Sequence, residues 1–302
     1  MAQDIYILAV LDGLSYAALL FLVALGMTLV FGVMNIVNMA HGSFYALGGY
    51  MAASLGLWAT SQGAAPAWSL LILPLAAIII GTVFGALMET TLMQHIYSKD
   101  PILQLLITFS AFMIFEDLQR LVWGTQPYFV SEIVNYLGTT EVLGITYTRY
   151  QLLVLPGVAI AVFVALRSFL KFSSIGRQIV AVSHNREVST ALGINVKRMT
   201  AISFGIAAAL GGAAGILIAP IAQASSTMGL LLGLKGFAVA IIAGITQARG
   251  VVVMGLVYGV LEKFVEGYIS TAAREAIGFA VIILLLFAFP QGIFGKKETV
   301  KV

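Results

Sequence analysis

The 302-residue sequence contains no cysteine and only three histidines. Without cysteine the chain has no disulfide, no thiolate nucleophile and no cysteine-based metal site. The histidines, His41, His95 and His184, are too scattered to predict a metal centre. The HExxH, GxSxG and phosphate-loop patterns are also absent. We therefore expect neither a metal nor a resident cofactor, and a protein that is not itself an enzyme.

Charge is also scarce, at 10% of the residues against about 25% in soluble domains. Hydrophobic residues make up 60% of the chain, and its mean hydropathy is +1.02. No Asp, Glu, Lys or Arg occurs from Gly13 to Met88, a length that accommodates several spans of about 20 residues. The sequence therefore predicts an all-α polytopic membrane protein with one transmembrane domain, residues 1–302. The net charge of +3 is modest and lies at membrane-flanking positions, so it indicates the topology of a protein in contact with membrane lipid and no nucleic-acid partner.

Hydropathy predicts nine transmembrane helices. They cover residues 8–32, 36–58, 68–92, 101–123, 150–170, 199–221, 229–246, 250–267 and 274–290. A re-entrant or broken helix within Phe31–Gly49 would reduce the count to eight. The stretch Lys171–Arg198 holds five of the sixteen Lys and Arg residues, and basic loops stay on the cytoplasmic side. This places the N-terminus outside and the C-terminus in the cytoplasm.

The basic loop, about residues 171–199, contains the signals of a short helix. Asn185 is placed to cap a helix over Arg186–Leu192, with Glu187 in the first turn and Gly193 as its stop. A small apolar face is formed by Val188, Ala191 and Leu192. Seven helical residues are not stable alone, so this segment requires tertiary support or a docking partner. The alternative is a loop that only sets its charges against anionic lipid.

Four polar residues interrupt the uncharged stretch Phe31–Tyr50: Asn35, Asn38, His41 and Ser43. Polar groups at membrane depth face protein, water or substrate. We interpret the four as candidates for the substrate path, with hydrogen bonding between helices as the alternative. The order of residues 31–42 is echoed at 243–250, which suggests an internal repeat with interrupted helices.

A few charges lie near predicted helix ends, where we expect them to reach the membrane surface or to form local ion pairs. They are Glu89, Glu116, Asp117, Glu262, Lys263 and Glu266, with Lys263 placed to pair with neighbouring carboxylates. Four glycine pairs spaced by four residues predict close helix packing. They begin at Gly81, Gly211, Gly229 and Gly255.

Three stretches together resemble one family. Gly32-Val-Met-Asn-Ile-Val-Asn-Met-Ala-His-Gly42, followed by Leu47-Gly-Gly-Tyr50, is similar to its first-half motif. Gly176–Asn195, followed by Phe204 and Gly211-Gly-Ala-Ala-Gly215, is similar to its coupling loop and next helix. Phe289-Pro-Gln-Gly-Ile-Phe-Gly295 is similar to its closing motif. The family is the inner-membrane permeases of bacterial branched-chain amino acid ABC importers, in the shorter of two permease types.

The resemblance implies an ABC importer permease fold that carries leucine, isoleucine and valine. It also implies a second related permease, two cytoplasmic ATP-binding subunits and a periplasmic binding protein. The chain departs from the family's glycine-rich turn at Gly244–Gly250, so urea and short amides remain alternative substrates. A stand-alone secondary transporter is the rival from another class. By resemblance, the residues that couple to the ATPase are Gly176, Arg177, Asn185, Arg186, Glu187, Ala191, Leu192 and Gly193.

Overall fold

The computed structural model of the chain describes residues 2–97, 99–129, 131–244 and 247–295, with side chains except at residues 2, 3 and 69–73. Helices make up nearly all of the regular structure in these ranges. Their bounds are α1 Ala2–Met34, α2 His41–Ser61, α3 69–96, α4 Pro101–Trp123, α5 Glu132–Leu137, α6 Leu155–Phe172, α7 Ser174–His184, α8 Arg186–Ala191, α9 Val196–Ile218, α10 Met228–Ala243, α11 Ala248–Tyr268 and α12 Thr271–Ala288. Within α3, residues Ile80–Gly85 and Glu89–Met93 form π-helical turns, and a third π-helical turn, Tyr150–Val154, leads into α6.

Each of the nine predicted spans coincides with a helix. Six helices are long and apolar enough to cross a membrane, which confirms a multi-pass membrane protein. They cover Asp4–Met34, Pro74–Ile96, Pro101–Trp123, Tyr150–Phe172, Val196–Ile218 and Thr271–Ala288. Helix α10 is apolar but shorter, and α2 and α11 are not among the six. The count of eight to nine spans therefore stays a prediction.

The helix break anticipated within Phe31–Gly49 lies between α1 and α2. Asn35 has a left-handed φ of 55°, which asparagine tolerates better than most residues, and its N–H donates to the Phe31 carbonyl (2.8 Å). Helix α2 begins at His41, five residues later than predicted. At the echoed segment, Gly244 has a φ of 88° between α10 and α11. Ile245 and Thr246 of that turn lie outside the described residues, and the internal repeat stays a prediction.

The segments predicted to be cytoplasmic meet at one end of the bundle, which we call the coupling end. It comprises residues 97, 99–100, 172–195, 244, 247–250 and 289–295. Here the Arg186 guanidinium lies 5.5 Å from the centre of the Tyr97 ring. The closing motif packs against the α10–α11 turn, where the Ile293 N–H donates to the Ile242 carbonyl (2.7 Å). The C-terminal residues 296–302 lie outside the described residues.

The segments predicted to be external meet at the opposite end. The Tyr128 N–H donates to the Ala224 carbonyl (3.0 Å), and the Tyr6 ring meets Phe264 edge to face, with centroids 5.2 Å apart. This arrangement agrees with the predicted alternation of helices. Which end faces the cytoplasm stays a prediction.

The segment between α5 and α6 corrects the purely helical expectation, because it forms a β-hairpin. Strands β1 (Thr139–Val142) and β2 (Ile145–Thr148) pair antiparallel, joined by a two-residue turn in which both residues have positive φ, as tight hairpins require. Tyr147 fixes the hairpin to α1 by donating its hydroxyl to Asp12 Oδ1 (2.8 Å). Burial is the main cause that raises the pKa of Tyr147, so the hydroxyl keeps the proton that it donates.

The predicted close packing of glycine-spaced helices is confirmed around α9 and α2. A Cβ added to Gly42 would collide with the backbone of Gly229, and one added to Gly48 would collide with the backbone of Gly212. Small residues allow such backbone approach, which drives helix association in lipid. This packing holds the first turn of α2 against both α9 and α10.

Candidate functional site

Three of the four predicted substrate-path residues are buried together at the start of α2. Asn38, His41 and Ser43 are 6%, 1% and 2% exposed. Asn35 is exposed where α1 ends, so the structure separates it from the other three. The non-helical turn at residues 35–40 lies between Asn35 and the start of α2 at His41.

His41 occupies a slot between α1 and α9 that two glycines leave open. A Cβ on Gly26 would lie 2.7 Å from His41 Cε1, and a Cβ on Gly211 would lie 3.2 Å from His41 Nε2. The Phe44 ring meets the imidazole edge to face, with centroids 6.0 Å apart. The position of the ring is therefore set by the absence of side chains on its neighbours.

Several polar atoms of this cluster have no hydrogen-bond partner among the described residues. They are Asn38 Nδ2, both ring nitrogens of His41 and Ser43 Oγ. The Val23 carbonyl lies near the His41 ring but outside hydrogen-bond geometry. Leaving such a group unpaired costs about 1–3 kcal/mol. A cavity of about 10 Å³ touches both Asn38 and His41, which is room for about one water-sized group.

Helix α4 adds two polar residues that sequence reasoning missed. Thr108 Oγ1 accepts from the Met39 N–H (3.3 Å), and Gln119 Nε2 donates to the Ser43 carbonyl (3.2 Å). Thr108 and Gln119 are buried and lie eleven residues apart, which is three helical turns. This spacing was a readable signal, since it places both on one face of an apolar helix.

The short helix α8 has the predicted cap and stop. Asn185 Oδ1 accepts from the Val188 N–H (2.9 Å). Gly193 has a φ of 80°, and the Ile194 N–H donates to the Ser189 carbonyl (3.0 Å), as in a glycine-terminated helix. The helix ends at Ala191, one residue before the predicted end.

A second helix of the same loop, α7, was not predicted. Ser173 Oγ caps it by accepting from the Gly176 N–H (2.8 Å). Gly176 is buried against α6, where a Cβ would lie 2.6 Å from Leu170 Cα. Arg177 Nη1 donates to the Phe172 carbonyl (2.8 Å). Two of the predicted coupling residues, Gly176 and Arg177, therefore belong to α7, and the other six belong to α8 or its flanks.

The apolar face of α8 is exposed. Val188 and Leu192 are 53% and 74% exposed, and Ala191 and Glu187 are exposed as well. Single exposed apolar residues are ordinary, but a contiguous apolar face indicates an interaction surface.

The other side of α8 is connected to α3. Arg186 lies over the ring of Tyr97, and the Tyr97 hydroxyl donates to Glu89 Oε1 (2.6 Å). Glu89 was expected to reach the membrane surface or to form a local ion pair; it is instead 4% exposed, and the structure pairs it with the Tyr97 hydroxyl. Its hydrogen bond to Tyr97 compensates for its burial.

A buried charge network joins α10, α11 and α12. Lys235 Nζ lies 2.8 Å from Glu262 Oε1 and 2.7 Å from Glu275 Oε2. Lys235 and Glu262 are 2% and 0% exposed. Glu262 was expected to reach the surface or to pair locally; instead it is buried and pairs with Lys235 of another helix, which the sequence reasoning overlooked.

The outer part of this network forms the expected local pairs. Lys263 Nζ lies 2.8 Å from Glu266 Oε2, as predicted, and Arg274 bridges Glu266 and Glu275 at 2.9 and 2.7 Å. At the end of α4, Arg120 pairs with Glu116 and Asp117. A lone lysine in the apolar helix α10 was itself a signal, since intramembrane charges are costly and require partners. Within the described ranges, no three His, Asp or Glu side chains are grouped to hold a metal ion.

The sequence matches the family described as "Branched-chain amino acid transport system / permease component" over residues 9–287. Similar proteins include the high-affinity branched-chain amino acid transport system permease protein LivH of Salmonella typhimurium, 27% identical over 296 residues, which are 96% of each chain. LivH of Escherichia coli K12 is 26% identical with the same coverage. BraD of Pseudomonas aeruginosa is 26% identical over an alignment of 308 residue positions, which covers 98% of each chain. No solved structure matches the chain.

Proposed function

This chain belongs to the family of branched-chain amino acid transport permeases, and we propose that it carries leucine, isoleucine and valine across the bacterial inner membrane. The chain is a membrane transport subunit and not an enzyme. We assign ATP hydrolysis to two cytoplasmic ATP-binding subunits and substrate delivery to a periplasmic binding protein. A second permease, a related chain or another copy of this one, would form the other half of the path. Similarity over nearly the full length to permeases named for these amino acids supports this assignment.

The observation that carries the proposal is α8, a capped helix with an exposed apolar face at the coupling end. In our account an ATP-binding subunit covers Val188, Ala191 and Leu192. The cap at Asn185 and the stop at Gly193 fix the orientation of this face. With this docking, the coupling end lies in the cytoplasm and the N-terminus lies outside.

A chain of contacts then leads from α8 to the polar cluster. Arg186 contacts Tyr97, and Tyr97 is hydrogen bonded to Glu89 in the second π-helical turn of α3. Helix α3 packs on α9 where Gly81 approaches Gly205, and α9 forms one wall of the His41 slot. π-Helical turns are frequent at functional sites. We propose that movement of α8 shifts α3 and α9, and thereby opens and closes the path beside His41.

The polar cluster suits passage of a zwitterion. An amino acid carries hydrogen-bond donors on its ammonium group and acceptors on its carboxylate. Asn38 Nδ2 and Ser43 Oγ are available donors, and a neutral imidazole at His41 offers one donor and one acceptor. The surrounding walls are apolar, so an aliphatic side chain meets no charged group there. A few unpaired polar atoms guide the substrate without retaining it tightly.

Docking is tested by replacing Ala191 with arginine. We expect Ala191→Arg to place a charge in the contact, to prevent co-purification of the ATP-binding subunits and to abolish leucine uptake. The matched control is Thr190→Arg, since Thr190 is exposed on the opposite face of the same short helix and the added charge is identical. Equal assembly and uptake in both variants would contradict the docking role.

Substrate class is tested by uptake in cells that express the complete transporter. Excess isoleucine or valine should reduce labelled leucine uptake, whereas urea and small amides should not. Transport by the purified chain alone in liposomes, without ATP-binding subunits, would support the secondary-transporter alternative instead.

A further inference from the structure

A cavity of about 510 Å³ opens at the coupling end, between α6, α7 and the start of α11. Four basic side chains line it: Arg167, Lys171, Arg177 and Arg249. They come from three helices that are distant in sequence, so the tertiary fold brings them together. Arg177 is among the predicted ATPase-coupling residues, whereas Arg167, Lys171 and Arg249 have no role in the proposed transport mechanism.

These charges lack an acidic counterpart within the part of the chain that the structure describes. No Asp or Glu lines the cavity, and none of the four cations forms an ion pair there. Arg167 and Lys171 lie four residues apart on α6, a spacing at which like charges repel. The beginning of α11 adds the positive end of a helix dipole. The cavity mouth is therefore suited to an anion.

The rest of the lining is apolar and follows the same face of α6. Phe163, Leu166 and Leu170 line the cavity, and the eight residue steps from Phe163 to Lys171 extend about 12 Å along the helix. An adjoining cavity of about 470 Å³ continues this wall along α1 and shares Leu166 and Leu170. A small soluble anion gains nothing from contact with an apolar wall, whereas a lipid acyl chain is stabilised by packing against it.

We propose that this cavity binds an anionic phospholipid of the adjacent leaflet. The headgroup phosphate lies among Arg167, Lys171 and Arg249, and one acyl chain follows the apolar face of α6. Basic pockets between membrane helices commonly take anionic headgroups. The proposal goes beyond transport and does not depend on the identity of the substrate.

The test is native mass spectrometry of the purified full-length chain, titrated with phosphatidylglycerol or phosphatidylethanolamine. We expect one phosphatidylglycerol to bind with clear preference. The variant Arg167→Gln/Lys171→Gln should lose about 30-fold in affinity, from roughly 5-fold for each charge. The control is Lys197→Gln/Arg198→Gln, which removes two exposed charges at the same end and should retain wild-type affinity.

A second variant tests the apolar wall without changing charge. Val180 lines both cavities, and Val180→Trp should fill the space for the acyl chain and weaken phosphatidylglycerol binding. Soluble glycerol phosphate should not compete. Equal binding of the two lipids, competition by glycerol phosphate, or equal losses in the two double variants would overturn the proposal. Because the assay contains no ATP-binding subunit and no substrate, failure of the transport assignment would leave its result unchanged.

Discussion

The buried charge network predicts that loss of Lys235 destabilises the protein far more than loss of a partly exposed lysine. In Lys235→Met, the Glu262 carboxylate, which is 0% exposed, loses its cation and keeps neutral hydroxyl partners such as that of Tyr258, at 3.0 Å. Removing one member of a buried ion pair costs about 3–5 kcal/mol, because the remaining charge is uncompensated. We expect a loss of stability in that range.

Lys263→Met is the matched control. Lys263 and Glu266 are 23% and 27% exposed, and Glu266 retains Arg274 at 2.9 Å. Such a pair contributes about 0–1 kcal/mol. The double variant Lys235→Met/Glu262→Gln removes both buried charges, so it should be more stable than Lys235→Met alone by about 1–3 kcal/mol, the cost of leaving a buried polar group unsatisfied.

The assay is thermal unfolding of the purified chains in one detergent at one pH. The expected order of melting temperature is wild type and Lys263→Met together, then the double variant, then Lys235→Met. If Lys235→Met melts with Lys263→Met, or if the double variant is less stable than Lys235→Met, the network does not compensate buried charge and the reasoning is refuted.

Two further predictions concern the path and its coupling. Gly26→Ala should push the imidazole of His41 from its slot and reduce leucine uptake. The control Gly32→Ala should not, because no atom lies within 4 Å of the added Cβ. Equal leucine uptake in the two variants would show that His41 does not line the path. Tyr97→Phe keeps the aromatic ring that the Arg186 guanidinium contacts. It removes the hydroxyl that donates to Glu89, and leaving this buried carboxylate without its donor costs about 1–3 kcal/mol. We expect ATP-binding subunits to remain bound while uptake per ATP hydrolysed falls, and an unchanged ratio would argue against this coupling route.

The helical architecture was predictable because hydropathy and helix signals are local. The helices that overlap the predicted spans follow from apolar runs of sufficient length, and the ends of α8 follow from Asn185 and Gly193, whose effects extend over a few residues. Helix α7 was missed because it lies inside a basic loop that was treated as one extramembrane segment, although Ile175, Ile179 and Val182 have helical spacing. The β-hairpin was missed because its turn, Leu143-Gly144, lacks the Asn-Gly or Asp-Gly sequence that most strongly marks such a turn.

The candidate site was predictable only in part, because its key relationships are long-range. The polarity of Asn38 and His41 in an uncharged stretch was visible in the sequence. The burial of His41 beside Gly26 and Gly211 depends on helices that are distant along the chain. Likewise, Glu262 was expected at the surface or in a local ion pair, since its partner, Lys235, lies 27 residues away on another helix.

The most direct test of the account is the accessibility of α8 to a membrane-impermeant maleimide. The chain contains no cysteine, so Leu192→Cys introduces a single thiol at a residue that is 74% exposed. We predict labelling in inside-out vesicles, protection when the ATP-binding subunits are added, and no labelling in intact spheroplasts. Labelling of intact spheroplasts, or labelling of inside-out vesicles that the ATP-binding subunits leave unchanged, would contradict the account.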